Sequence, residues 1–119
     1  MLHIALCSPD PGERAALLAQ MAEAASALSI ACRADCFSSG DELVKRWCEG
    51  AKYGLVLLEI PAEGDCGLQT ALALRALEPA VEIAFLAISR DCAFRAIEMD
   101  ALHYLIKPAR AEDFSEMFR

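Results

Sequence analysis

The sequence predicts an α/β fold, a doubly wound sheet of five parallel strands with helices on both faces. Three observations carry this. Strand-like and helix-like segments alternate from end to end, as a chain of βαβ units requires. The run Gly54-Leu55-Val56-Leu57-Leu58-Glu59-Ile60 is nearly continuous in apolar character, which suits a central parallel strand covered on both faces. Two such runs also end in charge, one at Glu59 and the other, Leu102 to Ile106, at Lys107-Pro108. An acid and a lysine then stand at one edge of the sheet, where open α/β folds place their sites.

The elements follow in order. His3 to Cys7 reads as the first strand. Asp10-Pro11-Gly12-Glu13 supplies an N-cap acid, a proline at the first helical position and a glutamate at the third. An alanine-rich helix follows to about Leu28, with Leu17, Met21 and Leu28 inward. Ile30 to Phe37 is a strand interrupted by Arg33 and Asp35, and is therefore placed near a sheet edge. Ser39-Gly40-Asp41-Glu42 forms a second capping box and opens a helix to about Cys48. After the Gly54 to Ile60 strand, Pro61 to Gly67 is a polar turn and Leu68 to Leu77 a helix that stops at Pro79. Glu82 to Ile88, Asp91 to Met99, Leu102 to Ile106 and Ala111 to Arg119 complete the alternation as strand, helix, strand and helix.

At 119 residues the chain is one domain, large enough to bury a core without staples. Its apolar stretches are too short and too often interrupted by charge to cross a bilayer. The start, Met1-Leu2-His3-Ile4, has no basic region leading into a long apolar one, so no signal peptide is read and a cytoplasmic location is expected. With a net charge of −7 and no basic cluster, the domain is unsuited to gripping a phosphate backbone by itself. Contact with DNA would fall to a separate domain. The six cysteines include no C-x-x-C pair, and Cys32 and Cys36 share a strand without a nearby histidine, so most of the six read as small buried hydrophobes in a reducing compartment. His3 and His103 sit on different strands and carry no ligand or catalytic expectation.

Four segments together resemble a known family. They are Cys7 to Arg14, Phe37-Ser38-Ser39-Gly40-Asp41-Glu42-Leu43, Leu57-Leu58-Glu59-Ile60 with Gly67 downstream, and Ala101-Leu102-His103-Tyr104-Leu105-Ile106-Lys107-Pro108. In this order and spacing the chain resembles the receiver domain of bacterial response regulators, the partners of histidine kinases. The Ser-Ser-Gly segment and the Ala-Leu-x-Tyr-Leu wording are most similar to receivers attached to LytTR-type DNA-binding domains. The resemblance implies a flavodoxin-like sheet of order 2-1-3-4-5.

It also implies a chemistry in which a strand-three aspartate accepts phosphate and two acids after strand one help hold Mg²⁺. A Thr or Ser ends strand four and a lysine ends strand five. Here Glu59 stands at the acceptor position and Ser8 and Pro9 at those of the acid pair, while Ala87 takes the Thr/Ser position. Lys107 is retained, and Tyr104 matches the family's switch aromatic. Phosphoryl transfer is mostly positioning and charge neutralisation, and a hard cation wants several oxygen ligands. Without the acid pair, Mg²⁺ binding is expected to be lost or weak and phosphorylation with it, so no cofactor and no enzyme activity are expected.

The expectation is a pseudo-receiver, the N-terminal part of a longer transcriptional regulator, acting through protein contacts. The partners implied are a sensor kinase and a second copy docked through helix four, strand five and helix five. Arg90, Arg95, Asp100, Arg110 and Glu112 would contribute charge there. Glu59 is open to two readings: a built-in mimic of the phosphorylated acid, or a strand-end acid that compensates Lys107. Asp10 is an N-cap in preference to a vestigial metal ligand. Tyr104 is expected fixed and half-buried, because Ala87 has no hydroxyl to move toward a phosphate. A redox role for Cys7 and Cys66 is disfavoured, since only Lys107 could lower a thiol pKa there. Two rivals remain: a working Mg²⁺-dependent phosphoacceptor, and a flavodoxin-like sensor of a small ligand, although no glycine-rich phosphate loop is present.

Overall fold

The computed structural model describes residues 2–60, 68–87, 97–98, 101–107 and 110–118. Five parallel strands alternate with helices: β1 (Leu2–Cys7), α1 (Pro11–Ala27), β2 (Cys32–Phe37), α2 (Gly40–Cys48), β3 (Leu55–Glu59), α3 (Leu68–Leu77), β4 (Glu82–Ala87), β5 (His103–Ile106) and a last helix, α4 (Ala111–Phe118). The strand order is β2-β1-β3-β4-β5, as the resemblance implied. The predicted turn 61–67, the end of the fourth strand at Ile88 and most of the predicted helix 91–99 lie outside the described residues, with Ile97 and Glu98 helical. Arg90, Arg95, Asp100, Cys66 and Cys92 also lie outside them.

Alternation along each strand sorts the apolar side chains onto two faces. Ile4, Leu6, Leu55, Leu57, Leu86 and Leu105 pack under α1 and α4 with Leu17, Met21, Phe114 and Met117. Ala5, Cys7, Val56, Leu58, Ile83, Phe85 and Ala87 pack on the other face with Leu43, Trp47, Ala71 and Leu74 of α2 and α3. Both faces of β3 and β4 are therefore covered, which explains their unbroken apolar runs. β2 is an edge strand, buried along its length only at Phe37. Tyr53 ties it to the core. Its ring meets Phe37 at 6.0 Å and Trp47 at 5.7 Å, and its hydroxyl donates to Asp35 Oδ2 at 2.7 Å.

The helix starts follow the capping signals. Asp10 Oδ1 accepts the Gly12 N–H at 3.0 Å, and Ser39 Oγ accepts that of Glu42 at 3.2 Å. Strand ends differ from the sequence reading by one or two residues, at β1, β2, β3 and β5. β2 begins at Cys32, not Ile30, because the Ile30 N–H is tied back to the Ala25 carbonyl at 2.8 Å while Ser29 turns the chain with φ 57°. Leu28, read as inward, is the half-buried C-cap of α1, and Ala24 and Ala25 fill the inner side instead. No helix among the described residues is long and apolar enough to cross a membrane.

Candidate functional site at the C-terminal edge of the sheet

The parallel ladder brings the strand ends into one row. Cys7 is level with Leu58, Glu59 with Leu86, and Ala87 with Ile106. Backbone bonds extend this row by one residue at each side: Ser8 N–H donates to Phe37 O at 3.0 Å, and Lys107 N–H to Ala87 O at 2.8 Å. Ser8, Glu59, Ala87 and Lys107 thus gather at one edge, within two register steps of one another, because hydrophobic strands of matched register end together.

Glu59 is the centre of this row, and its side chain is only 6% exposed. Its Oε1 pairs with Lys107 Nζ, and its Oε2 accepts a hydrogen bond from the buried Ser8 hydroxyl at 2.9 Å. Lys107 Nζ also lies 2.8 Å from Glu13 Oε1, so one ammonium is shared by two carboxylates. Arg14 Nη1 donates to the Ser8 carbonyl at 2.6 Å and holds the β1–α1 link against α1.

The electrostatics follow from this arrangement. Burial pushes the Glu59 carboxyl up, but hydrogen bonds involving Lys107, Glu13 and Ser8 outweigh it and leave the group below its usual range. Glu13 moves the other way. Burial and the facing Glu59 raise it, against the pull of Lys107. Lys107 loses hydration, yet the two carboxylates hold its proton more firmly than usual.

The other predicted positions fall as follows. Asp10 is exposed and spends its carboxylate as the N-cap of α1. Pro9 is exposed and Ala87 buried. Tyr104 is half-buried and packs against the cluster that contains Ala87. Cys7 is buried with its sulfur 3.9 Å from Ser39 O, and its thiol is pushed up to about 12, first by burial and then by Glu42 and Cys36. The two histidines stand apart, His3 in register with Arg33 on β2 and His103 at the start of β5. Arg110 and Glu112 line a groove of about 420 Å³ beside β5, together with Tyr104, Asp113 and Glu116.

Glu13 and Arg14 were not foreseen as members of this site. Glu13 at the third helical position reads locally as a helix-start acid. The available signal was the three-residue link Ser8-Pro9-Asp10, too short to carry the first turn of α1 away from the strand ends.

No family model matches the chain. The chain is 33% identical over 82 residues to the positive alginate biosynthesis regulatory protein of Pseudomonas aeruginosa, a match that spans 69% of this chain and 33% of that protein. The chain thus corresponds to about a third of the length of this curated relative. Among solved structures it superposes on the response regulator TrrA of Thermotoga maritima, crystallised with Mg²⁺ and a beryllium fluoride, with TM-score 0.80 and 23% identity over 99% of this chain and 96% of that one. A receiver domain from Clostridium thermocellum gives TM-score 0.81 with 17% identity, over 98% and 90% of the two chains. The response regulatory domain of mrkE from Klebsiella pneumoniae gives 0.80 with 16%, over 98% and 91%.

The fold is that of a response-regulator receiver domain. A receiver that holds Mg²⁺ needs several oxygen donors facing a common point. In this receiver fold Ser8 faces Glu59 as a hydrogen-bond donor, Pro9 offers no side-chain donor, and both oxygens of Glu59 are engaged within the protein. Among the described residues no three His, Cys, Asp or Glu side chains are grouped to hold a metal ion. The donor set of the described residues does not fit a hard divalent cation.

Proposed function

We propose that the chain is a receiver-type regulatory module of bacterial signal transduction that works through protein contacts and does not accept a phosphoryl group. One observation carries this reading. At the phosphoacceptor position, Glu59 has one oxygen paired with Lys107 and the other bonded to Ser8, so the attacking carboxylate and its lysine are already spent on each other. The missing metal-side acids remove the charge neutralisation on which phosphoryl transfer depends, a contribution of several kcal/mol.

The contact surface includes β5 and α4, where the groove beside β5 carries Lys107 and Arg110 against Glu112, Asp113 and Glu116. Mixed charge at the rim of an exposed groove suits a specific, moderately polar protein interface. Its partners would be a second copy or a sensor kinase. The greater length of the alginate regulator, which matches over a third of its own chain, supports a place within a longer transcriptional regulator in which another domain contacts DNA. The acidity of this chain fits that division of labour in the cytoplasm.

The test is incubation with acetyl phosphate and Mg²⁺, followed by intact-mass and peptide mapping. The expected result is an unmodified chain, and a phosphoryl increment mapped to Glu59 would overturn the proposal. The E59Q variant separates the two roles of this acid. Changed self-association in light scattering identifies Glu59 as a mimic of the phosphorylated group, whereas unchanged association identifies it as a counter-ion of Lys107.

A further inference from the structure

Lys107 is positioned to meet an anion at the sheet edge, yet three features show that most of its capacity is already taken. Its ammonium carries three donors, of which one meets Glu59 and one meets Glu13 at 2.8 Å. The three side chains together carry two negative charges and one positive, so the cluster repels an arriving oxyanion. The burial is graded as well: Glu59 is 6% exposed against 26% for Glu13, which makes Glu59 the inner and Glu13 the outer partner of the ammonium.

Glu13 does not swing freely on a loose segment. Asp10 caps the first turn of α1, Pro11 starts the helix, and Arg14 pins that turn to the Ser8 carbonyl at 2.6 Å. Leu17 and Met21, one and two turns on, are buried in the core beneath α1. The helix turn that carries this acid is thus held beside Lys107 by packing, and an anion approaching Lys107 competes with it for the ammonium.

We propose that Glu13 is a specificity-determining residue of this edge, a built-in anion that occupies Lys107 and bars it to phosphoryl groups and other oxyanions. This rests on the reading of the chain as a receiver that does not accept phosphate, and extends it. Replacing Ser8, Pro9 and Glu59 with aspartates would not by itself reopen the site, because the Glu13–Lys107 pair survives that change.

Two measurements test it. The chain has three lysines, Lys45, Lys52 and Lys107, so acetylation by an N-hydroxysuccinimide ester can be followed at each by peptide mass spectrometry. In the unsubstituted chain Lys107 should react slowest, and E13Q should raise its rate about threefold or more while leaving Lys45 and Lys52 unchanged. An unchanged Lys107 rate in a folded E13Q chain overturns the proposal. The second measurement compares S8D/P9D/E59D with the same variant carrying E13Q, by titrating beryllofluoride in the presence of Mg²⁺. Binding about tenfold tighter with E13Q is expected. Equal affinity in the two folded variants, or binding in neither, overturns the proposal. Both comparisons turn on residue 13 alone, so they can fail while the unsubstituted chain still refuses phosphate. A chain that takes phosphate from acetyl phosphate sinks the functional reading through a different result.

Discussion

Ser8 Oγ donates to Glu59 Oε2 at 2.9 Å, joining the end of β1 to the end of β3 where a receiver with working chemistry would face two acids toward one another. The substitution of a donor for an acid turns repulsion into attraction. Ser8 is 1% exposed, so its hydroxyl has no access to water as an alternative partner.

Ser8→Ala should therefore destabilise the fold by about 1.5–3 kcal/mol, the cost of removing a hydrogen bond to a charged group that stays buried. Urea unfolding measures it. A loss below about 0.5 kcal/mol would mean that the bond contributes little.

The pH dependence of stability has two opposing parts. Burial raises Glu59, but its hydrogen bonds prevail and hold it below the ordinary 4.5. Its contribution is thus present above that value and lost as pH falls through the lower folded value. Glu13 is raised above 4.5, first by burial, so its contribution is present below that value and lost as pH rises through the higher folded one. Glu59→Gln should flatten the acid limb of the stability curve, and Glu13→Gln should improve stability toward neutrality relative to acid. Urea midpoints from about pH 3 to about pH 7 separate the two, and parallel curves for E59Q and the unsubstituted chain would contradict the assignment of Glu59.

At the start of α2, a Cβ added to Gly40 would lie 1.9 Å from Thr70 Oγ1 and 2.8 Å from Thr70 Cβ of α3. Gly40→Ala should cost about 2 kcal/mol by forcing α2 and α3 apart, although alanine is the better helix former. Thr70→Ala in the same chain should recover part of the loss, since it removes the hydroxyl but keeps the second close contact. Thermal unfolding of the three variants checks this, and a neutral Gly40→Ala would rule out the close approach.

Cys7 is buried with its thiol pushed up to about 12, whereas Cys36 and Cys48 are exposed. Iodoacetamide at about pH 8 should modify Cys36 and Cys48 well before Cys7 in the native chain, and all three alike in denaturant. Fast native labelling at Cys7 would show that the β1 end opens.

The element order, strand identities and helix starts were legible from local signals. The apolar runs of β3 and β4 name themselves as central strands because both of their faces are covered, and Asp10 and Ser39 announce α1 and α2 because caps satisfy amides that are near in sequence. The opposition of Glu59 and Lys107 could also be foreseen, since both close apolar runs in a parallel sheet. What the sequence by itself determined is thus the alternation of elements and the loss of acids at Ser8 and Pro9. Only the tertiary structure decided which groups share the site. It turned Glu13 from a helix-start acid into a second partner of Lys107, and Arg14 into the pin of the β1–α1 link. The physical reason is that local patterns record which face of an element is buried, while a polar side chain's partner depends on how neighbouring elements are set against each other.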